Sequence, residues 1–131
     1  LAPSYQYGDT SHAVPLQVLS EILGGGTTSR LYQTLVVGRK LAVDAGSGYS
    51  AGAIGPSVFG ISVTPADGAV EAIPAAVEAV IAEVLATGVT DEELARAKRS
   101  LKAAAIYARD SGRGLANIFG SALATGRTVE D

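Results

Sequence analysis

Residues 57–64 read SVFGISVT. Phe59, Ile61 and Val63 fall on one side of an extended chain, and Gly60, Ser62 and Thr64 on the other. That period of two is what a half-buried strand requires. Upstream, Ala42 to Ser50 (AVDAGSGYS) reads as a second strand, rich in small residues. The link Ala51–Pro56 contains Gly52, Gly55 and Pro56, enough chain for an antiparallel hairpin with a loose loop.

Outside this hairpin the period becomes helical. Val14, Val18, Leu19, Ile22 and Leu23 form one stripe. Pro15 is tolerable only in a first turn, so that helix starts near His12 or Ala13 and stops at Gly24–Gly26. Thr27, Thr28 and Ser29 are candidate N-caps for a second helix carrying Leu31 and Leu35, with Gly38 as its C′ residue. A third stripe comprises Val70, Ile73, Val77, Ile81, Val84 and Leu85; Pro74 implies a start near Glu71 or a kink, and Gly88 closes it. TDEE at 90–93 is a capping box that opens a helix with a narrow face of Leu94, Ala97, Leu101, Ala104 and Ala108. DSGRG at 110–114 marks a break, after which Leu115, Ile118, Phe119 and Ala122 resume the stripe.

A hairpin of period two among segments of period 3.6 predicts a two-layer α+β domain, an antiparallel sheet backed by helices on one face. TVED at 128–131 repeats the cap logic of TDEE, so a helix is expected to start where the sequence stops. The expectation is a single domain over 1–131, a fragment of a longer protein.

Composition narrows the function classes. The chain has 131 residues, 47% hydrophobic, with a net charge of −3. A pI near 5.1 and scattered basic residues argue against a nucleic-acid partner. The basic stripe in ELARAKRSLK (93–102) reads as a solvated helix face, because no aromatic residue interleaves with it. No apolar run approaches membrane-spanning length. With no cysteine, disulfides, thiolate metal ligands and a cysteine nucleophile are excluded. His12 is the only histidine; Asp9 and Glu21 give it no known ligand spacing, so no metal site is expected here. Ser11, His12 and Asp9 are too close in sequence to face one another as a triad.

The run GGGTTSR (24–30) admits several readings. A phosphate loop needs a preceding strand and a lysine, and neither is present. The start of the following helix could hold an anion or a peptide carbonyl beside Arg30. The glycines could also serve only to turn the chain between packed helices.

ILGGGTTSRLYQTLVVGRKLA, followed by GVTDEELARAKRSL and ARDSGRGLANIFGSALATGRTVED, resembles the second, non-catalytic half of pitrilysin-type zinc metallopeptidases, the insulinase or mitochondrial processing peptidase family. The resemblance runs from about Val14 to Asp131. It implies a parent with two similar α+β halves. The first would carry an inverted His-x-x-Glu-His zinc motif upstream of Leu1, so zinc is the cofactor of the intact protein and not of this segment. It implies no catalytic residues here and a half-domain that lines the substrate chamber. Gly24, Gly25, Gly26 and Thr27 correspond to a substrate-contacting segment. The implied partners are a peptide substrate, the catalytic half of the same polypeptide, and a second subunit or copy. The sequence itself fixes no compartment; resemblance to bacterial relatives, often periplasmic, favours the periplasm. The family's helper Arg and Tyr fall on Val36 and Val43, which donate no side-chain hydrogen bond to an oxyanion. An assembly module of a non-catalytic member, or an anion-binding domain using the Gly24–Gly26 loop, are the alternative functions.

Overall fold

A computed structural model describes residues 2–126. A single 3₁₀ turn, Thr10–His12, leads into α1 (Ala13–Gly24). Pro15 lies in its first turn, where its missing N–H has no intrahelical partner to lose. The helix that follows Ser29 widens to π hydrogen bonding over Tyr32–Gly38, with the Arg39 N–H donating to the Thr34 carbonyl at 2.8 Å. Lys40 then takes φ 53°, which turns the chain into β1 (Ala42–Tyr49).

β1 pairs antiparallel with β2 (Phe59–Pro65), in a register that sets Ala45 opposite Val63, Ser47 opposite Ile61 and Tyr49 opposite Phe59. The irregularity between Ala42 and Asp44 leaves Val43 unpaired and 61% exposed. Ser57 falls outside β2, ahead of its start. It exchanges both backbone hydrogen bonds with Ala2 instead, at 2.7 and 2.8 Å.

A 3₁₀ turn, Val70–Ala72, precedes α2 (Ile73–Thr87), so Pro74 again occupies a first turn and no kink is needed. Gly88, at φ 72°, ends α2. α3 (Asp91–Arg109) starts with the expected capping box: the Glu93 N–H donates to Thr90 Oγ1, and the Thr90 N–H to Glu93 Oε1, each at 3.1 Å. Ser111 caps α4 (Gly112–Ala124) through the Gly114 N–H at 2.8 Å. The helix start anticipated at Thr128 lies outside the described residues.

The core joins Leu23 of α1, Leu31 and Leu35 of the second helix, Ala42 and Ala45 of β1, and Ala76 and Val80 of α2. Phe59, Ile61 and Val63 pack against it, while Gly60, Ser62 and Thr64 are exposed on the other side of the hairpin. One face of the sheet therefore meets the helices, giving the α+β layering expected from the period-two stretch. α1 also packs on α3, where Ala97 is buried. Among the described residues no single helix is long and apolar enough to cross a membrane.

Candidate functional site

The three glycines occupy three different environments. Gly24 ends α1, pressed onto β1: a Cβ there would lie 1.9 Å from the Ser47 nitrogen and 2.4 Å from the Gly46 carbonyl carbon. Only glycine lets the helix end approach the strand backbone so closely. Ser47 Oγ donates to the Ser20 carbonyl at 2.7 Å and fixes the same contact from the strand side. Gly25 caps α1, its N–H donating to the Glu21 carbonyl at 2.9 Å; an added Cβ would meet the Glu21 carboxylate. Gly26 has φ 145° and open space around it. Gly25, Gly26, Thr27 and Thr28 are exposed, whereas Gly24 is half-buried.

The loop's acceptors are taken from inside. The Gly26 carbonyl receives both the Ser29 N–H, at 3.1 Å, and the Ser29 hydroxyl, at 2.7 Å. Gln33 Nε2 donates to the Thr27 carbonyl at 2.5 Å, and an Arg96 guanidinium nitrogen to the Thr28 carbonyl at 3.2 Å. The N–H groups of Gly26, Thr27 and Thr28 meet no partner among the described residues. The result is an exposed turn in which the Gly26, Thr27 and Thr28 carbonyls are occupied and the N–H groups of the same three residues are not. Of the three candidate caps, Ser29 is the residue buried at the helix start.

Arg30 does not face this surface as a free cation. Its Nε donates to Glu93 Oε2 at 2.6 Å, and a terminal nitrogen donates to Glu93 Oε1 at 2.7 Å and to the Gly88 carbonyl at 3.1 Å. The bidentate guanidinium holds the Glu93 carboxyl down at about 2, from an ordinary 4.5, and Glu93 in turn raises Arg30. The loop is thereby clamped to the start of α3. Behind it lies a small polar niche of about 70 Å³, where the Ser100 hydroxyl donates to Glu21 Oε1 at 2.6 Å. That volume suits water, not a peptide.

The remaining candidates are separate from the loop. Asp9 does draw Ser11 and His12 together: Ser11 Oγ donates to Asp9 Oδ1 at 2.5 Å, and His12 Nε2 lies 3.7 Å from Asp9 Oδ2. The serine hydroxyl thus addresses the carboxylate and not the imidazole, which is the wrong order for activating a nucleophile. Among the described residues, no three His, Cys, Asp or Glu side chains gather as a metal ligand set. Val36 is half-buried against the core and Val43 stands out on β1. The Arg30–Glu93 clamp was not read from the sequence, since 63 residues separate its two halves.

The family model of the Peptidase M16 inactive domain matches residues 2–101. The chain belongs to this family. No curated protein matches it. Among solved structures it is similar to a protease from Helicobacter pylori, at 25% identity and TM-score 0.82, over 95% of this chain and 29% of that one. It is also similar to a protein from Bordetella pertussis Tohama I designated a zinc protease, at 22% identity and TM-score 0.74, over 87% of this chain and 63% of the other; this likeness speaks to fold alone. A peptidase M16 inactive domain from Pseudomonas fluorescens shares 28% identity at TM-score 0.62, over 74% of this chain and 24% of that one. The M16 chain therefore spans less than two thirds of each of these relatives. It is the non-catalytic domain of a peptidase family, and its fold is that of the M16 half-domain.

Proposed function

We propose that this M16 domain forms the wall of a peptide chamber opposite a zinc-bearing half in the same polypeptide, and that its glycine loop holds substrate by the backbone. The zinc and its activated water belong to the other half; this chain supplies position, not chemistry. The observation that carries the reading is the donor-only loop. Gly26, Thr27 and Thr28 offer consecutive N–H groups with no acceptor among the described residues, and an extended peptide offers consecutive carbonyls. Such contacts read main chain and ignore sequence, as a chamber for varied peptides requires. Gly24 acts from beneath, anchoring the loop on β1, and Gly25 caps α1, while Gly26, Thr27 and Thr28 form the contact surface. With Arg30 neutralised by Glu93 and Glu21 at the rim, the loop favours a neutral carbonyl over a free anion.

The test compares Gly26→Ala with Gly68→Ala in the intact polypeptide. Both glycines have positive φ and open surroundings and only one lies in the loop; Gly26, at φ 145° against 75° for Gly68, bears the larger backbone penalty, so turnover is compared per folded molecule. Turnover of an unstructured peptide per folded molecule should fall roughly tenfold for Gly26→Ala, the effect of about one lost hydrogen bond, and stay level for Gly68→Ala. Equal turnover in both variants would remove the loop from substrate binding.

A further inference from the structure

The peptide planes of the glycine loop are held from more than one element, and each hold decides where an N–H points. Among the described residues every peptide bond is trans, so a carbonyl points opposite to the N–H of the residue after it. Ser29 draws the Gly26 carbonyl inward with its N–H and its hydroxyl, at 3.1 and 2.7 Å, and so turns the Thr27 N–H out. Gln33 Nε2 draws the Thr27 carbonyl inward at 2.5 Å, and so turns the Thr28 N–H out. Arg96 holds the Thr28 carbonyl at 3.2 Å, but the N–H of that peptide unit belongs to Ser29 and is spent on Gly26. Arg96 thus ties the loop to α3 and orients no outward donor. The two planes that do aim donors outward are fixed differently. The first is closed by backbone and by a buried serine. The second depends on a single exposed side chain reaching back along the helix.

We propose that Gln33 is a positioning residue of this site: by gripping the Thr27 carbonyl it aims the Thr28 N–H at the backbone of a bound peptide. Gln33 plays this part only if the loop meets peptide, as proposed above. Packing does not call for a glutamine here. Gln33 is exposed, while Leu31 and Leu35 on either side of it fill the core. Water would satisfy the Thr27 carbonyl about as well, so the bond adds little to folding. Water would not fix a direction. Gly26, at φ 145° with open space around it, is a swivel immediately ahead of this plane. Released from Gln33, the Thr27–Thr28 unit is free to turn its carbonyl outward and set an acceptor against the carbonyls of the peptide. The grip also polarises the unit, because a carbonyl that accepts a hydrogen bond makes the N–H at its far end a stronger donor. The Gln33 N–H donates to the Ser29 carbonyl at 2.9 Å, so the side chain is carried by the same turn that Ser29 caps.

Steady-state cleavage of an unstructured peptide by the intact polypeptide tests it, with rates taken per folded molecule. Gln33→Met keeps the length and helix propensity of the side chain and removes its donor, and Gln33→Lys restores a donor of similar reach. KM should rise about fivefold in Gln33→Met with kcat unchanged, as when one hydrogen bond to bound peptide is weakened and the chemistry lies elsewhere. Gln33→Lys should bring KM back to within about twofold of wild type. The Thr27 carbonyl carbon resonance should move upfield in Gln33→Met, the sign of a lost hydrogen bond. If the polypeptide cleaves nothing, the Kd of the same peptide, labelled and read by fluorescence anisotropy, replaces KM with the same ratios expected. Wild-type KM in Gln33→Met, beside a Gly26→Ala variant that loses turnover, would overturn the positioning role and leave the loop a substrate site. Wild-type behaviour of both variants would remove the site and the role together. A rise in KM that Gln33→Lys does not reverse would also overturn the role, since the shape of the side chain and not its N–H would then matter.

Discussion

Replacing Glu93 by Gln removes one charge from the clamp between the second helix and α3 and leaves its shape intact. The carboxylate accepts two guanidinium hydrogens from Arg30, at 2.6 and 2.7 Å, and one N–H from Thr90. Its pKa falls from 4.5 to about 2, and each unit is worth about 1.4 kcal/mol, which sets a ceiling of about 3 kcal/mol. Arg30 and Glu93 keep 17% and 18% of their side-chain surface in water, so screening reduces the expected loss to about 1–2 kcal/mol. The direction in pH follows from a folded-state pKa below the unfolded one. The charge stabilises above about pH 4.5, and that contribution disappears as pH falls towards 2; by pH 3 more than half is gone. Urea unfolding followed by circular dichroism, at pH 7 and pH 3, measures both numbers. The gap between wild type and Glu93→Gln should be open at pH 7 and narrow by pH 3. Equal stability at pH 7, or a gap of the same size at pH 3, would refute the clamp as an electrostatic tie.

Gly24→Ala forces a methyl group into the Ser47 backbone and should lower stability by about 2–3 kcal/mol, whereas Gly26→Ala, in open space, should lower it by about 1 kcal/mol; thermal melts of the two variants should keep that order. Thr90→Ala removes the acceptor for the Glu93 N–H and should cost about 1 kcal/mol, read as a lower urea midpoint with an unchanged slope. Equilibrium dialysis followed by elemental analysis is expected to find no stoichiometric zinc on the 131-residue chain, and one tightly held zinc per chain would contradict that.

The fold was legible where it depends on local pattern. Phe59, Ile61 and Val63 announced a strand with one buried face, and the TDEE box placed the start of α3 to the residue. Both prolines found first turns because no other helical position tolerates them. What escaped depends on partners distant in sequence. Ser57 reads as the first residue of β2, yet it is drawn to Ala2 by a pairing that no window around it contains. The π widening over Tyr32–Gly38 accompanies Leu31 and Leu35, both fully buried in the core, and has no compositional mark. At the loop, the glycine run drew notice as a unit. Its division into a wedge at Gly24 and a donor surface from Gly26 onward required the position of β1 and the side chains of Gln33 and Arg96.

That division bears on how the loop could be re-engineered. One end is pinned at Gly24 by a steric fit to β1, and the other at Ser29 and Arg30 by a cap and a two-point ion pair. Of the residues between them, Gly26 lends its carbonyl to the Ser29 cap, while Thr27 and Thr28 are exposed. Extra residues spliced in after Gly26 would cost the Ser29–Gly26 hydrogen bonds and a slowly growing closure entropy, about 0.6 kcal/mol for each doubling of length, while the Gly24 wedge and the Arg30–Glu93 pair still seat the helices on either side. The loop is accordingly a graft point of the isolated domain: a binding peptide or an affinity tag could be presented there, on an exposed turn between two fixed ends.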